Sequence, residues 1–256
     1  MSDKVYFVGA GPGDPDLITV KGLKILQKAD IIVYAGSLVN KEILKKAQQT
    51  AKIFNSAKMH LDEIARVMID GFRSGKTVLR LQTGDTSLYG ALAEQVERLN
   101  EQNIPYEVVP GVSSAFASIA ALGGELTLPE ITQTVIFTRI EGRTPVPDSE
   151  RLASLARHHA TICIFLSIKM IGKVVDELLS EYHPGTPVAV VYKASWPDQV
   201  TICGTLDNIS EKVTEANITK TAMIIVGDVL SEEIKKGNTP SRLYCKEFGH
   251  DYRGKS

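Results

Sequence analysis

The stretch Val5-Tyr6-Phe7-Val8-Gly9-Ala10-Gly11-Pro12-Gly13-Asp14-Pro15 decides the fold class. Val5 to Gly9 is a short, largely apolar run, the pattern of a strand covered on both faces. It ends in a glycine-rich turn, and Thr19 to Lys28 follows with Val20, Leu23 and Leu26 at helical spacing. Strand, glycine turn and helix make the first half of a βαβ unit. The turn resembles a dinucleotide-binding fingerprint but fails it. G-x-G-x-x-G requires glycine at position 14, where Asp14 stands. Pro12 and Pro15 remove two N–H groups that a phosphate cradle uses, and the Asp14 carboxylate repels pyrophosphate.

The alternation continues outward from that turn. Strands are expected at Ile31–Tyr34, Ile53–Phe54, Thr77–Leu81 and Tyr106–Val109, with helical stretches at Lys41–Ala47, Leu61–Phe72 and Ala91–Leu99. Such a series builds a mostly parallel sheet with helices on both faces. Pro110-Gly111 breaks it, so a first α/β domain is assigned to 1–110 and a second to 111–230. Val112–Leu122 suits a closely packed helix. Further strands are expected at Thr134–Arg139, Thr161–Leu166, Pro187–Tyr192, Val200–Cys203 and Ala222–Val226, and helices at Ser149–Arg157, Lys169–Leu179 and Leu206–Val213. Lys193 to Gln199 is too short for a helical crossover, so its flanking strands form an antiparallel hairpin in a mixed sheet. A polar tail occupies 231–256.

Composition narrows the function classes. The 256 residues are 43% hydrophobic and 23% charged, a globular balance. Lys+Arg number 29 against 30 Asp+Glu, which disfavours nucleic acid as a partner. No apolar run approaches the ~20 residues of a membrane span, and Met1 to Lys4 has no signal-peptide character, so a cytoplasmic protein without membrane partners is expected. Cys163, Cys203 and Cys245 and the five histidines show no metal-ligand spacing, and no metal is expected. Gly75-Lys76-Thr77 lacks the earlier glycine of a P-loop and precedes a strand rather than following one.

Two turns follow parallel strands, where open α/β sheets bind ligands. In Thr83-Gly84-Asp85-Thr86, Asp85 is suited either to accept from a ribose or ammonium group or to cap the next helix. In Pro110-Gly111-Val112-Ser113-Ser114, the two serines are either helix caps or donors to a ligand carboxylate. No nucleophile–base set can be assembled by position, which fits a reaction whose reagent arrives activated and whose protein supplies alignment.

Four segments in order resemble the tetrapyrrole (uroporphyrinogen-III/precorrin) methyltransferase family. They are Val8 to Thr19, Arg80-Leu81-Gln82-Thr83-Gly84-Asp85, Val109-Pro110-Gly111-Val112-Ser113-Ser114 and Ile224-Ile225-Val226-Gly227. Tyr34 to Val39, Asn55 to Met59, Thr138 to Pro147 and Tyr192 to Asp198 narrow the resemblance to the branch acting at C-11 of precorrin-4, and Ser241 to His250 is also similar to it. Thr83 departs from the glycine many members carry there.

The resemblance implies two α/β domains flanking a cleft, a homodimer, and S-adenosylmethionine as the methyl donor, leaving as S-adenosylhomocysteine. It implies cofactor contacts from Pro12, Thr83, Gly84, Asp85, Leu88, Ser113, Ser114, Leu166, Tyr192, Ala194 and Ala222. It puts the glycine loop, with Gly11 and Gly13, on the tetrapyrrole side, in the first domain, while the second domain completes the cofactor site. The substrate's carboxylates call for cations, and Lys58, Arg139, Arg143 and Lys193 are the candidates, each of them otherwise a solvated surface charge. Asp14 and Glu141 are candidates for a base that takes a macrocycle proton. Two other readings stay open: a relative acting on another precorrin carbon or on a diphthine-type protein, and a ligand-binding protein without catalysis.

Overall fold

A computed structural model describes residues 3–142 and 144–231. Arg143 and the tail 232–256 lie outside the described residues. The chain divides into two compact units. The first holds the chain up to Ser118 together with Lys193–Gln199, and the second holds Ile119–Tyr192 and the chain from Val200 onward.

The first unit contains β1 (Val5–Gly9), α1 (Val20–Leu26), β2 (Ile31–Tyr34), β3 (Lys52–Asn55), α2 (Leu61–Arg73), β4 (Val78–Gln82), α3 (Leu92–Asn100) and β5 (Tyr106–Val109), and α4 (Ser114–Ala121) begins in it. Its five strands are all parallel, in the order β3-β2-β4-β1-β5. The period-2 alternation of the strands sorts their side chains between two cores. Val8, Ile32, Leu79 and Leu81 meet Ile18, Leu26 and Ile43 on one face. Val5, Phe7, Val33 and Val78 meet Ile64, Met68 and Leu99 on the other. The split follows from chirality. The chain leaves β1 toward β2 in one direction and leaves β4 toward β5 in the other, so right-handed crossovers carry α1 and α3 to opposite faces. The loops after the neighbouring strands β1 and β4 therefore part, which is the switch point where such sheets accept ligands.

The second unit is built from β6 (Val135–Thr138), α5 (Leu152–Ala156), β7 (Thr161–Ile164), α6 (Ile171–Leu178), β8 (Pro187–Tyr192), β9 (Val200–Thr205), α7 (Ile209–Glu215) and β10 (Ala222–Val226). The sheet order is β6-β7-β10-β8-β9, with only β6 and β7 parallel. Leu152, Val174, Leu178, Ile209 and Val213 from its helices pack against Ile162, Ile164, Val188, Val190, Ile224 and Val226. The expected β8–β9 hairpin forms, pairing Pro187 with Thr205 through to Tyr192 with Val200.

Two local expectations change. Lys41–Lys46 is a 3-10 helix rather than an α-helix, and the Asn40 side chain accepts from the Glu42 N–H at 3.1 Å at its start. So short a segment gains too few i→i−4 bonds to offset α-helix nucleation. The expected helix Ser149–Arg157 is also broken, into a 3-10 turn at Asp148–Glu150 and α5. Pro110–Ser114 stays with the first unit, where the sequence had placed the junction before Gly111, because Gly111 is held against the ends of β1 and β4.

Candidate functional site

The carboxyl ends of β1, β4 and β5 meet at three glycines. A Cβ on Gly9 would lie 2.5 Å from the Gly84 carbonyl oxygen and 2.6 Å from the Gly111 Cα, and one on Gly111 would strike the same carbonyl. Only glycine permits that approach. The loops are then stitched together by backbone: the Ala10 N–H donates to the Gln82 carbonyl at 2.7 Å and the Gly84 N–H to the Gly11 carbonyl at 2.8 Å. The motifs spaced along the first half of the sequence thus converge on one place.

Asp85 fixes the arrangement from within. One carboxylate oxygen accepts from the Gly111 N–H at 2.8 Å, and the other from the Ser87 N–H at 2.8 Å and from the Ser87 hydroxyl. Partial burial pushes its pKa up, but the hydrogen bonds from Ser87 and Gly111 outweigh that and hold it below the ordinary carboxylate range. Asp85 therefore acts as a strut between two loops. Ser113 is buried, and its hydroxyl accepts from the Ala115 N–H at 3.3 Å; Ser114, half-buried, is the first residue of α4. Thr83 and Leu88 are half-buried beside Asp85, and the Thr83 hydroxyl donates to the Leu38 carbonyl at 3.4 Å.

Beneath this turn lies a polar network that the sequence reading did not find. Arg80, 5% exposed on the central strand β4, donates to Gln95 Oε1 at 2.7 Å and to the Val33 carbonyl at 3.2 Å. Burial lowers its pKa to about 10. Gln95 donates in turn to the Ala91 carbonyl at 2.9 Å, and Gln82 donates to the Gly90 carbonyl. These bonds hold a loop in which Tyr89 and Ala91 both take left-handed backbone (φ 55° and 47°). Gln82 Oε1 and Thr86 Oγ1 are buried without a hydrogen-bond partner among the described residues. The visible signal was a lone arginine within Val78-Leu79-Arg80-Leu81.

The glycine loop after β1 is held from another side. The Trp196 indole N–H donates to the Pro12 carbonyl at 2.9 Å, the Asp14 N–H to the Ser195 hydroxyl at 2.9 Å, and Asn40 Nδ2 to the Gly13 carbonyl at 2.9 Å. Gly11, Pro12 and Gly13 are buried. The Asp14 carboxylate accepts from the Asp16 N–H at 2.8 Å and caps a 3-10 turn. Lys193 pairs with Asp198 at 2.5 Å, its ammonium 5.2 Å from the Trp196 ring centroid, and Ala194 is buried beside them. Lys58 is exposed just beyond the carboxyl end of β3.

In the second unit, Tyr192 and Ala222 are register partners on β8 and β10. Continuing the β7–β10 pairing sets Leu166 opposite Ala222, so these three candidates share one end of the sheet. Leu166 is 63% exposed with φ 56°. Arg139 leaves the same end, but its guanidinium donates to the carbonyls of Ile140, Thr144 and Pro145, the last at 2.8 Å, and so ties its own loop. Glu141 is exposed. Among the described residues no cluster of three His, Cys, Asp or Glu has metal-binding geometry, and no helix is long and apolar enough to cross a membrane.

Known proteins match this architecture. The sequence profile of the tetrapyrrole (corrin/porphyrin) methylases matches residues 4–210. A cobalt-precorrin-4 C(11)-methyltransferase of Methanocaldococcus jannaschii is 54% identical over 251 residues, 98% of this chain and 96% of that protein. The crystal structure of a cobalt-precorrin-4 methyltransferase superposes with a TM-score of 0.87 at 48% identity, covering 89% of this chain and 96% of that one. A uroporphyrin-III C-methyltransferase of Thermus thermophilus, solved with S-adenosylhomocysteine, gives 0.75 at 30% identity over 89% of this chain and 93% of its own. With its glycine loops gathered at the end of a parallel sheet and a profile match across most of its length, this chain belongs to the tetrapyrrole methylase family.

Proposed function

We propose that this chain transfers the methyl group of S-adenosylmethionine to C-11 of precorrin-4 or of its cobalt form, during construction of a corrin ring. The observation that carries the reading is the convergence of the Gly9, Gly84 and Gly111 loops on the β1/β4 switch point. The donor set there suits a sulfonium cofactor. Gln82 to Gly90 and Pro110 to Leu122 contain hydroxyls, backbone and one ionised carboxylate, with no lysine or arginine to repel a cation. Bound there, S-adenosylmethionine supplies an electrophilic methyl carbon. Thr83, Gly84 and Leu88 line its place, Asp85 keeps the loops in register, and Ser113 and Ser114 offer hydroxyls to its polar ends. Pro12, Ala194, Leu166, Tyr192 and Ala222 are further proposed contacts.

The protein's task is alignment and exclusion of water, since the reagent carries its own leaving group. The Gly11–Gly13 loop faces the macrocycle in this reading. Lys58 is the most accessible of the described candidates for a substrate carboxylate, with Lys193 and Arg139 as further ones, and Arg143 is a further candidate outside the described residues. Of the carboxylates considered for proton removal, Asp14 already accepts a backbone N–H, whereas Glu141 is exposed.

The same reading makes the protein a cytoplasmic homodimer, in keeping with free thiols at Cys163 and Cys203 and with exposed Tyr106 and Val108 on the edge strand β5. Sedimentation should give the dimer mass; a monomer at assay concentration rejects that part. The decisive experiment is incubation with methyl-labelled cofactor and precorrin-4, with and without cobalt. Label is expected at C-11 by NMR, and label at another carbon, or none, rejects the assignment.

A further inference from the structure

We infer that Trp196 is a positioning residue for the tetrapyrrole, acting through the glycine loop that it holds. The inference rests on the reading that Gly11–Gly13 faces the macrocycle.

The loop has little means of holding itself. Pro12 and Pro15 have no N–H to give, and three of the backbone groups of Pro12 to Asp14 are satisfied from outside: Pro12 O by the Trp196 indole, Gly13 O by Asn40 and the Asp14 N–H by Ser195. Two of these partners come from a segment more than 180 residues further along, with sequence separations of 184 and 181. That segment is itself braced, because Lys193 pairs with Asp198 while its ammonium sits over the indole.

Gly13 reports the same contact from the other side. A Cβ placed there would run into the indole at Cδ1, Nε1 and Cγ, and those are its three nearest obstacles. Its φ lies outside the left-handed region, so backbone twist does not demand glycine. The indole does. Gly13 and Trp196 therefore form one interlocked unit, and the loop's position is set by a ring that need not touch either reactant.

The test is a double-mutant cycle on Gly13→Ala and Trp196→Ala, with Trp196→Phe as the variant that keeps a ring but loses the N–H. Trp196→Ala should raise the KM for the tetrapyrrole about tenfold, the scale of one hydrogen bond and its packing, with S-adenosylmethionine affinity by calorimetry within about twofold of wild type. Trp196→Phe should fall between. Gly13→Ala alone should act like Trp196→Ala, yet add nothing in the double variant, because the new methyl group fills space the indole has vacated. Trp196 is the sole tryptophan, so Gly13→Ala should also shift the intrinsic emission. An active wild type with a Gly13→Ala variant of unchanged KM, with additive effects, or with cofactor affinity falling in parallel overturns the inference alone. A wild type inactive on every precorrin overturns the functional reading as well.

Discussion

Asp85 shows how a single side chain can tie two loops together. Its two oxygens accept from Gly111 and Ser87, joining the turn after β4 to the turn after β5. Asp85→Ala should therefore weaken S-adenosylmethionine binding about tenfold or more by loosening both turns, and Asp85→Asn should recover only part, since its single amide oxygen can accept from the Gly111 or the Ser87 N–H but not from both. Calorimetry on both variants checks this; equal affinities for wild type and Asp85→Ala would remove the strut. The carboxyl's folded pKa is depressed, so its contribution to stability is present in full above its unfolded pKa. It is lost as pH falls through the folded value. Acid titration of the melting temperature should show a steeper fall for wild type than for Asp85→Asn. Arg80 is the buried counterpart. Gln95→Ala would leave a guanidinium N–H unpaired inside the unit and should cost about 1–3 kcal/mol by urea unfolding, whereas Gln95→Glu, which supplies a charge, should cost less.

At the scale of elements, what the sequence made legible was what repeats. Val5–Gly9 and Ala222–Val226 stand where apolar runs put them, because a buried strand needs nothing beyond its own pattern. The motif turns were legible too, as the ends of parallel strands. The contacts among them were not, since the approach of Gly9 to Gly84 and Gly111 depends on strand order, which no local pattern carries. The same limit hid the role of Trp196, whose partner Pro12 lies near the opposite end of the chain. Gly111→Ala tests the glycine contact. The added methyl group must push backbone apart, and overpacking of this kind costs about 1–3 kcal/mol. The thermal midpoint should drop by about 3 °C or more. An unchanged midpoint would mean that the three loops do not meet as described.

On the scale of the whole molecule, one cysteine reads the second unit's integrity. Cys163 is fully buried on β7, where burial pushes its thiol up to about 12, while Cys203 on β9 is exposed. In a Cys245→Ser background, a thiol reagent at pH 8 should label Cys203 at once and Cys163 only as the unit opens. Peptide mapping by mass spectrometry distinguishes the two, and rapid native labelling of Cys163 would contradict its burial.

The return of Lys193–Gln199 to the first unit means that the polypeptide passes between units at three points, after Ser118, Tyr192 and Gln199. A growing chain emerging from a ribosome can lay down all five strands of the first sheet early, but Pro12 O and the Asp14 N–H must wait for Trp196 and Ser195. At about 5–20 residues per second, that delay between the end of β5 and the arrival of Trp196 is on the order of ten seconds. The nascent first unit thus spends an interval with its glycine loop unlatched, and a nascent-chain series arrested before and after Gln199 has emerged from the ribosome should show that loop passing from protease-sensitive to protected.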